Sequence, residues 1–140
     1  MSLAILISEL DSAIKSIPAL NAGLVVWAQD FESQEDATTK PYTVALDPER
    51  QEISRAFKTR TWIVNFELRT YKDDSTQNES VSQAIARATN CEEHKNAIQN
   101  FLNSSTLIGV ELEDCQQLAR LTDNISITQT TARIRYEENI

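Results

Sequence analysis

Glycine is nearly absent from this chain of 140 residues, occurring only at Gly23 and Gly109, far apart. A phosphate cradle needs clustered glycines so that successive backbone amides can turn toward one anion, and the common nucleotide-binding loops are thereby disfavoured. Histidine occurs once, at His94, and cysteine twice, at Cys91 and Cys115. Structural zinc takes four donors at short spacing, which this set does not supply. Two cysteines are also fewer than a small secreted scaffold uses. The apolar run 3–7 is broken by Glu9 and Asp11, so no signal peptide is expected and both thiols are expected to be free in a reducing cytosol. No stretch approaches the ~20 apolar residues that cross a bilayer, and no membrane partner is expected.

Cations are in deficit: 13 Lys plus Arg stand against 21 Asp plus Glu, giving a formal charge of −8 and a pI near 4.6. A groove gripping a nucleic-acid backbone needs a basic face, so this balance argues against duplex binding. It suits a soluble protein, or a surface past which nucleic acid slides without sticking. Aromatic residues make up 6% of the chain and apolar residues 41%, enough for a modest core. The length fits a single domain over 1–140.

The clearest pattern is an alternating strand over 60–71. Trp62, Val64, Phe66 and Leu68 share one face, and Ile63, Asn65, Glu67 and Arg69 share the other, so the strand reads as half-buried and antiparallel, with Ile63 an outward apolar residue. Leu3, Leu6, Leu10, Ala13, Ile14 and Ile17 recur at helical spacing, with Ser2 placed to cap the helix and Pro18 to stop it. A short strand follows at 24–27, then an acidic, aperiodic loop over 30–40. Tyr42, Val44 and Leu46 alternate in another strand. Residues 47–59 allow two readings: a short helix begun by Asp47 and Pro48, with Ile53 and Phe57 inward, or a wide irregular hairpin loop. Beyond the long strand, Val81, Ile85 and Ala88 stripe one helical segment and Ile98, Phe101 and Leu102 another, as one long helix or two. Strand character resumes at 107–112 and 118–121, and a closing strand over 125–136 turns Ala132, Ile134 and Tyr136 inward and Arg133 and Arg135 outward. The predicted fold is α+β: a mixed, mainly antiparallel sheet flanked by an N-terminal and a central helix.

Candidate chemistry is thin. His94 beside Cys91, Glu92 and Glu93 admits a metal or Cys–His reading, but polar residues on a solvated helical turn explain the cluster more simply. The acidic pairs Asp73-Asp74, Glu92-Glu93 and Glu113-Asp114 read as solvated surface rather than as catalytic dyads. The loop with Asp30, Glu32, Glu35 and Asp36 lacks the spacing of a calcium loop. Trp27 and Trp62 read as core, and Arg133 and Arg135 have either a cross-strand carboxylate such as Glu67 or Glu111 or an intersubunit partner. No catalytic residue, metal site or cofactor is assigned. The competing reading is a small acidic ligand-binding domain or hydrolase using His94 and nearby carboxylates. A DNA-mimicking decoy would need acids along one face, and these are dispersed.

The order of elements, with the Pro41-Tyr42-Thr43-Val44 strand opening, the long strand ending Phe66-Glu67-Leu68-Arg69-Thr70-Tyr71, and the closing Thr131-Ala132-Arg133-Ile134-Arg135-Tyr136, resembles the tail terminator and tail-completion proteins of long-tailed bacteriophages over nearly the whole chain. The resemblance implies a non-enzymatic virion subunit, assembled in the bacterial host cytoplasm. It would form a ring, typically hexameric, that caps the tail tube, joins it to the head-completion (neck) proteins and lets DNA pass only through the lumen. It also implies neighbour contacts in the loop with Asp30, Glu32, Glu35, Asp36 and Lys40, and in the segment with Glu49, Arg50 and Arg55. Ile63, Arg133 and Arg135 are added because outward apolar groups and unpaired edges gain partners when rings close.

Overall fold

The architecture is set by β4 (Thr59–Asp73), whose alternation lets both faces and both edges be used. In the computed structural model, which describes residues 2–21, 24–28, 42–73, 81–122 and 125–139, β4 pairs along its whole length with antiparallel β6 (Ile125–Asn139). Its other edge is shared: β2 (Tyr42–Leu46) takes the part near Tyr71, and β3 (Glu49–Ala56) takes the part from Asn65 to Thr59. β1 (Leu24–Ala28) adds in parallel to β2, and β5 (Ile108–Thr122) adds antiparallel to β6. The result is one six-stranded mixed sheet in the order β1-β2-β4-β6-β5, with β3 beside β4.

Neither reading of 47–59 holds as it stood. The segment is a strand, with one register shift between Glu52 and Ser54, in a tight hairpin turning at Phe57 and Lys58, where Lys58 takes a left-handed φ of 67°. Asp47 and Pro48 interrupt what would be one long strand, since Pro48 has no N–H for the ladder, and the Asp47 amide donates to the Ala28 carbonyl at 2.9 Å. Cross-strand pairing with β4 overrides the local helix-start signal, because Arg50 gains Trp62 as a neighbour. Ile53 and Phe57, assigned inward by the helix reading, are exposed.

Helix α1 (Ser2–Lys15) buries Leu6, Leu10, Ala13 and Ile14, as its periodicity predicts. Ser2 is already helical, and its hydroxyl is used in a tertiary network rather than as a cap. Pro18 opens a short second helix, α2 (Pro18–Asn21), whose Leu20 is buried. The two capping patterns resolve into one helix, α3 (Val81–Ser104); Thr89 sits inside it, its hydroxyl donating back to the Ile85 carbonyl at 2.9 Å. Both long helices lie on the same side of the sheet. Their residues pack with Val64, Phe66, Leu68, Ala132, Ile134 and Tyr136 in the main core, so the inward assignments on β4 and β6 stand. A smaller cluster of Tyr42, Val44, Tyr71 and Ile127 occupies the opposite face.

Glu9 joins α1 to the α3–β5 connection: its carboxylate accepts from the Thr106 amide at 2.7 Å, the Thr106 hydroxyl at 3.0 Å and the Ser105 hydroxyl at 2.8 Å. β5 then enters through register shifts between Ile108 and Glu111 and between Leu112 and Asp114. Gly109 adopts a φ of 59° at the first of these, a conformation that explains the glycine.

Candidate assembly surfaces

His94 is not on a solvated turn. It is fully buried, with Nε2 sharing a hydrogen bond of 2.7 Å with the Thr70 hydroxyl and Nδ1 one of 2.8 Å with the Thr130 hydroxyl. Thr70 bonds on to Thr43, and Thr130 accepts from Gln117, whose amide also donates to the Cys91 carbonyl at 2.7 Å. The chain of side chains thus crosses the sheet from β2 to β5 beneath α3. Burial, with Lys72 nearby, drives the imidazole pKa down to about 3, so the ring is neutral at physiological pH. With both nitrogens engaged and no solvent access, His94 is a structural crosspiece. The signal that could have placed it inward is helical phase: Ala97, Ile98 and Phe101, on the following turns, are buried beside it.

Among the described residues no group of three or more His, Cys, Asp or Glu side chains could hold a metal. Cys91 and Cys115 are free, half-buried thiols, both pushed up in pKa chiefly by burial. A shallow cleft of about 390 Å³ lies between β4, β6 and the first half of α3, where Lys72 donates to Asn90 at 2.7 Å and pairs with Glu93 at 3.3 Å. It is lined mainly by amide, hydroxyl and charged side chains, unlike the apolar concavities typical of small-molecule sites.

Of the predicted contact residues, Asp30, Glu32, Glu35, Asp36 and Lys40 lie outside the described residues. Glu49 is exposed on β3. Arg50 is only half-exposed and works internally: its guanidinium stacks 4.0 Å from the Trp62 ring centre, donates to Ser2 Oγ at 2.9 Å and Tyr136 Oη at 3.1 Å, and approaches Glu138 at 3.9 Å. Trp62 donates to the same Glu138 at 3.3 Å. Ser2, Trp62 and Arg50 hold the Glu138 carboxyl below its ordinary pKa. Arg55 is exposed and paired with Glu52 at 3.0 Å.

Ile63 corrects its assignment as an outward group. It is 3% exposed, because β4 is an interior strand there and its register neighbours are Gln51 and Arg135, whose long stems flank it. Arg133 and Arg135 do point away from the helices. They approach β5 carboxylates, Arg133 to Glu113 at 3.5 Å and Arg135 to Glu111 at 3.9 Å and Glu113 at 4.0 Å. Glu111 was foreseen as a cross-strand partner; the Leu112/Asp114 register shift is what brings in Glu113. Trp27 is part-buried against the core, its indole donating to Asp11 at 3.0 Å and its ring 5.8 Å from Phe66.

Sequence reasoning missed three apolar surfaces. Phe57 at the hairpin tip is 88% exposed; Val81 and Ile85, assigned to an inner stripe, are 78% and 60% exposed on the first half of α3; and β5 exposes Ile108, Leu112, Leu118 and Leu121. The α3 stripe is open because the buried residues of the helix, His94, Ala97, Ile98 and Phe101, all lie in its second half.

No protein-family model matches the chain, and neither does any curated protein. Among solved structures, a chain of the virion of a native gene transfer agent particle is similar in fold, with a TM-score of 0.50 at 12% sequence identity, covering 92% of this chain and 92% of that one. At that identity the likeness is one of fold alone.

Proposed function

We infer that this protein is a structural subunit of a phage-like virion, and specifically a tail terminator or tail-completion protein that forms a ring at the head-proximal end of the tail tube and joins it to the neck. The observation that carries the reading is the fold likeness to a gene transfer agent virion chain over 92% of both molecules. Support also comes from the apolar residues left open at the hairpin tip, on α3 and on β5, which a subunit gains by covering on assembly. The protein acts by docking and not by turnover; tube, neck and further copies of itself are its partners, and no cofactor takes part. The test is deletion of the gene from the genome that encodes the particle, followed by electron microscopy of the products. Tails of irregular length, or tails lacking heads, are expected. Normal, infectious particles would overturn the reading, as would a purified protein that stays monomeric and does not bind tail tubes.

A further inference from the structure

Two surface patches, at opposite edges of the sheet, carry opposite charge. At the β3–β4 hairpin tip Phe57 is 88% exposed, with the Lys58 ammonium 5.2 Å from its ring centre. Arg55 and Arg60 face each other directly across the hairpin. Like charges so placed repel; Glu52 pairs with Arg55, and Glu138, which Arg50 also approaches, stands across from Arg60 on β6, so the three cations outnumber the acids beside them. The Arg60 Nε is also buried without a hydrogen-bond partner. At the other edge, the first half of β5 presents Glu111, Glu113 and Asp114 around the exposed Ile108 and Leu112. The Glu137 carboxylate lies over Gly109, 3.6 Å from where a Cβ would stand. Of these four acids, Glu111 and Glu113 approach the two cations Arg133 and Arg135, at 3.5–4.0 Å and with substantial exposure.

The placement matters as much as the charge. β3 and β5 flank the β4–β6 pair, and among the described residues neither has a strand on its outer edge. Both patches lie at the same end of the sheet: Ile108 pairs with Glu137, which pairs with Thr61, and Thr59 is the first residue after the turn. Two different surfaces at nearly the same height on opposite edges meet head to tail when copies are related by rotation about an axis along the strands. That is the relation that closes a ring, whereas a self-complementary patch gives a dimer.

The geometry points to a subunit contact in which the cationic hairpin tip of one copy, led by Phe57, seats on the acidic, leucine-bearing start of β5 in the next copy. This rests on the ring reading and names the surfaces that would build it. The occupant is a second copy of this chain because the two patches are opposite in charge and lie level; Arg55, already held by Glu52, and Lys58 at the tip would gain further carboxylates, and Phe57 would cover Leu112.

The test is oligomer size by native mass spectrometry and sedimentation, with and without tail tubes. Phe57→Ala alters a side chain with almost no internal contact and is expected to leave the fold intact while weakening self-association by at least about tenfold, the loss typical of a buried aromatic anchor. Reversing the tip (Arg55→Glu with Lys58→Glu) or the strip (Glu111→Lys with Asp114→Lys) is expected to abolish assembly. Mixing the two reversed variants is expected to restore it as an alternating oligomer, since each tip then finds an opposite strip. Wild-type rings that survive all these changes, or mixed variants that fail to rescue, would overturn the contact and leave the ring reading standing. A wild-type protein that is monomeric both alone and on tubes would overturn both.

Discussion

The two faces of the sheet are built to different standards. The face under α1 and α3 is closed: Leu6, Leu10, Ile14, Phe66, Leu68, Phe101, Ile134 and Tyr136 are all essentially inaccessible, and the polar line that crosses it, Thr43, Thr70, His94 and Thr130, is hydrogen-bonded throughout, with both ring nitrogens of His94 satisfied. The opposite face buries Tyr42, Val44, Tyr71 and Ile127 at the β2 end. It then runs into mixed rows in which Glu49, Asn65, Arg133 and Asp114 stand side by side. The helix-covered face fixes the fold, while the open face and the two edges are free to carry recognition. The difference predicts that substitutions on the covered face are read as lost stability, and those on the open edges as lost assembly.

The largest effect should follow truncation at the centre of the closed face. Phe101 is fully buried in the main core of helix and sheet residues, and Phe101→Ala is expected to cost about 3–5 kcal/mol, the range for removing a buried aromatic ring and leaving a cavity. Chemical denaturation with an unchanged m-value would check it. A loss below ~1 kcal/mol would show that this face is looser than its burial implies.

His94 gives the next effect, through pH. Its folded pKa is depressed to about 3 from an ordinary value of 6.5, so between those limits the unfolded chain binds a proton that the folded chain excludes. Stability is therefore full above about pH 6.5 and is lost as pH falls toward 3. The slope is roughly 1.4 kcal/mol per pH unit, or about 2 kcal/mol by pH 5. The measurement is a series of denaturation midpoints from pH 7 to 4 on wild type and His94→Gln, the variant being less stable at neutral pH but flatter. A wild-type curve without that slope would mean that the ring is protonated in place.

The same contrast explains what the sequence disclosed. Periodicity reads elements that bury one face against a partner, and so α1, the inward side of β4 and the inward side of β6 were legible from Leu6, Phe66 and Ile134 and their spacing. It fails where an element is only half used. Val81 and Ile85 have the spacing of a buried stripe but stay largely exposed, and Ile63 alternates outward yet is covered between Gln51 and Arg135. Residues 47–59 failed for another reason: Asp-Pro-Glu is a genuine local helix-start signal, and only the long-range register with Asn65 to Thr59 makes it a strand. Of the proposed contacts, Glu49, Arg55, Arg133 and Arg135 remain on the surface, whereas Arg50 is drawn into the Ser2, Tyr136 and Trp62 network, for which one sequence offers no signal.

Arg50 stands at the rim between the two regimes. Arg50→Ala removes a stacked guanidinium and its bonds to two hydroxyls, and about 1–2 kcal/mol of stability should go with it, the half-exposed position tempering the electrostatic part. Arg50→Lys should recover less than half, since an ammonium does not reproduce the planar stack. Thermal melts of the two variants rank them, and equal melting temperatures for both and for wild type would remove Arg50 from the folded scaffold and return it to the list of contact candidates.

The smallest effect is the most discriminating. Leu118 on β5 and Val81 on α3 are 56% and 78% exposed, so neither gives up much contact when shortened. Leu118→Ser and Val81→Ser are each expected to change stability by less than about 0.5 kcal/mol, because changes at exposed side chains outside cavities and hydrogen-bond networks fall in that range. If they act at all, it should be on the assembled particle, by exposing less apolar surface to a neighbour. Melting curves that coincide with wild type, together with weakened binding to tubes or to other copies, would assign these side chains to the open, recognising half of the molecule. A stability loss above 1 kcal/mol would place them in the closed half, and the division between covered face and free edge would have to be redrawn along α3 and β5.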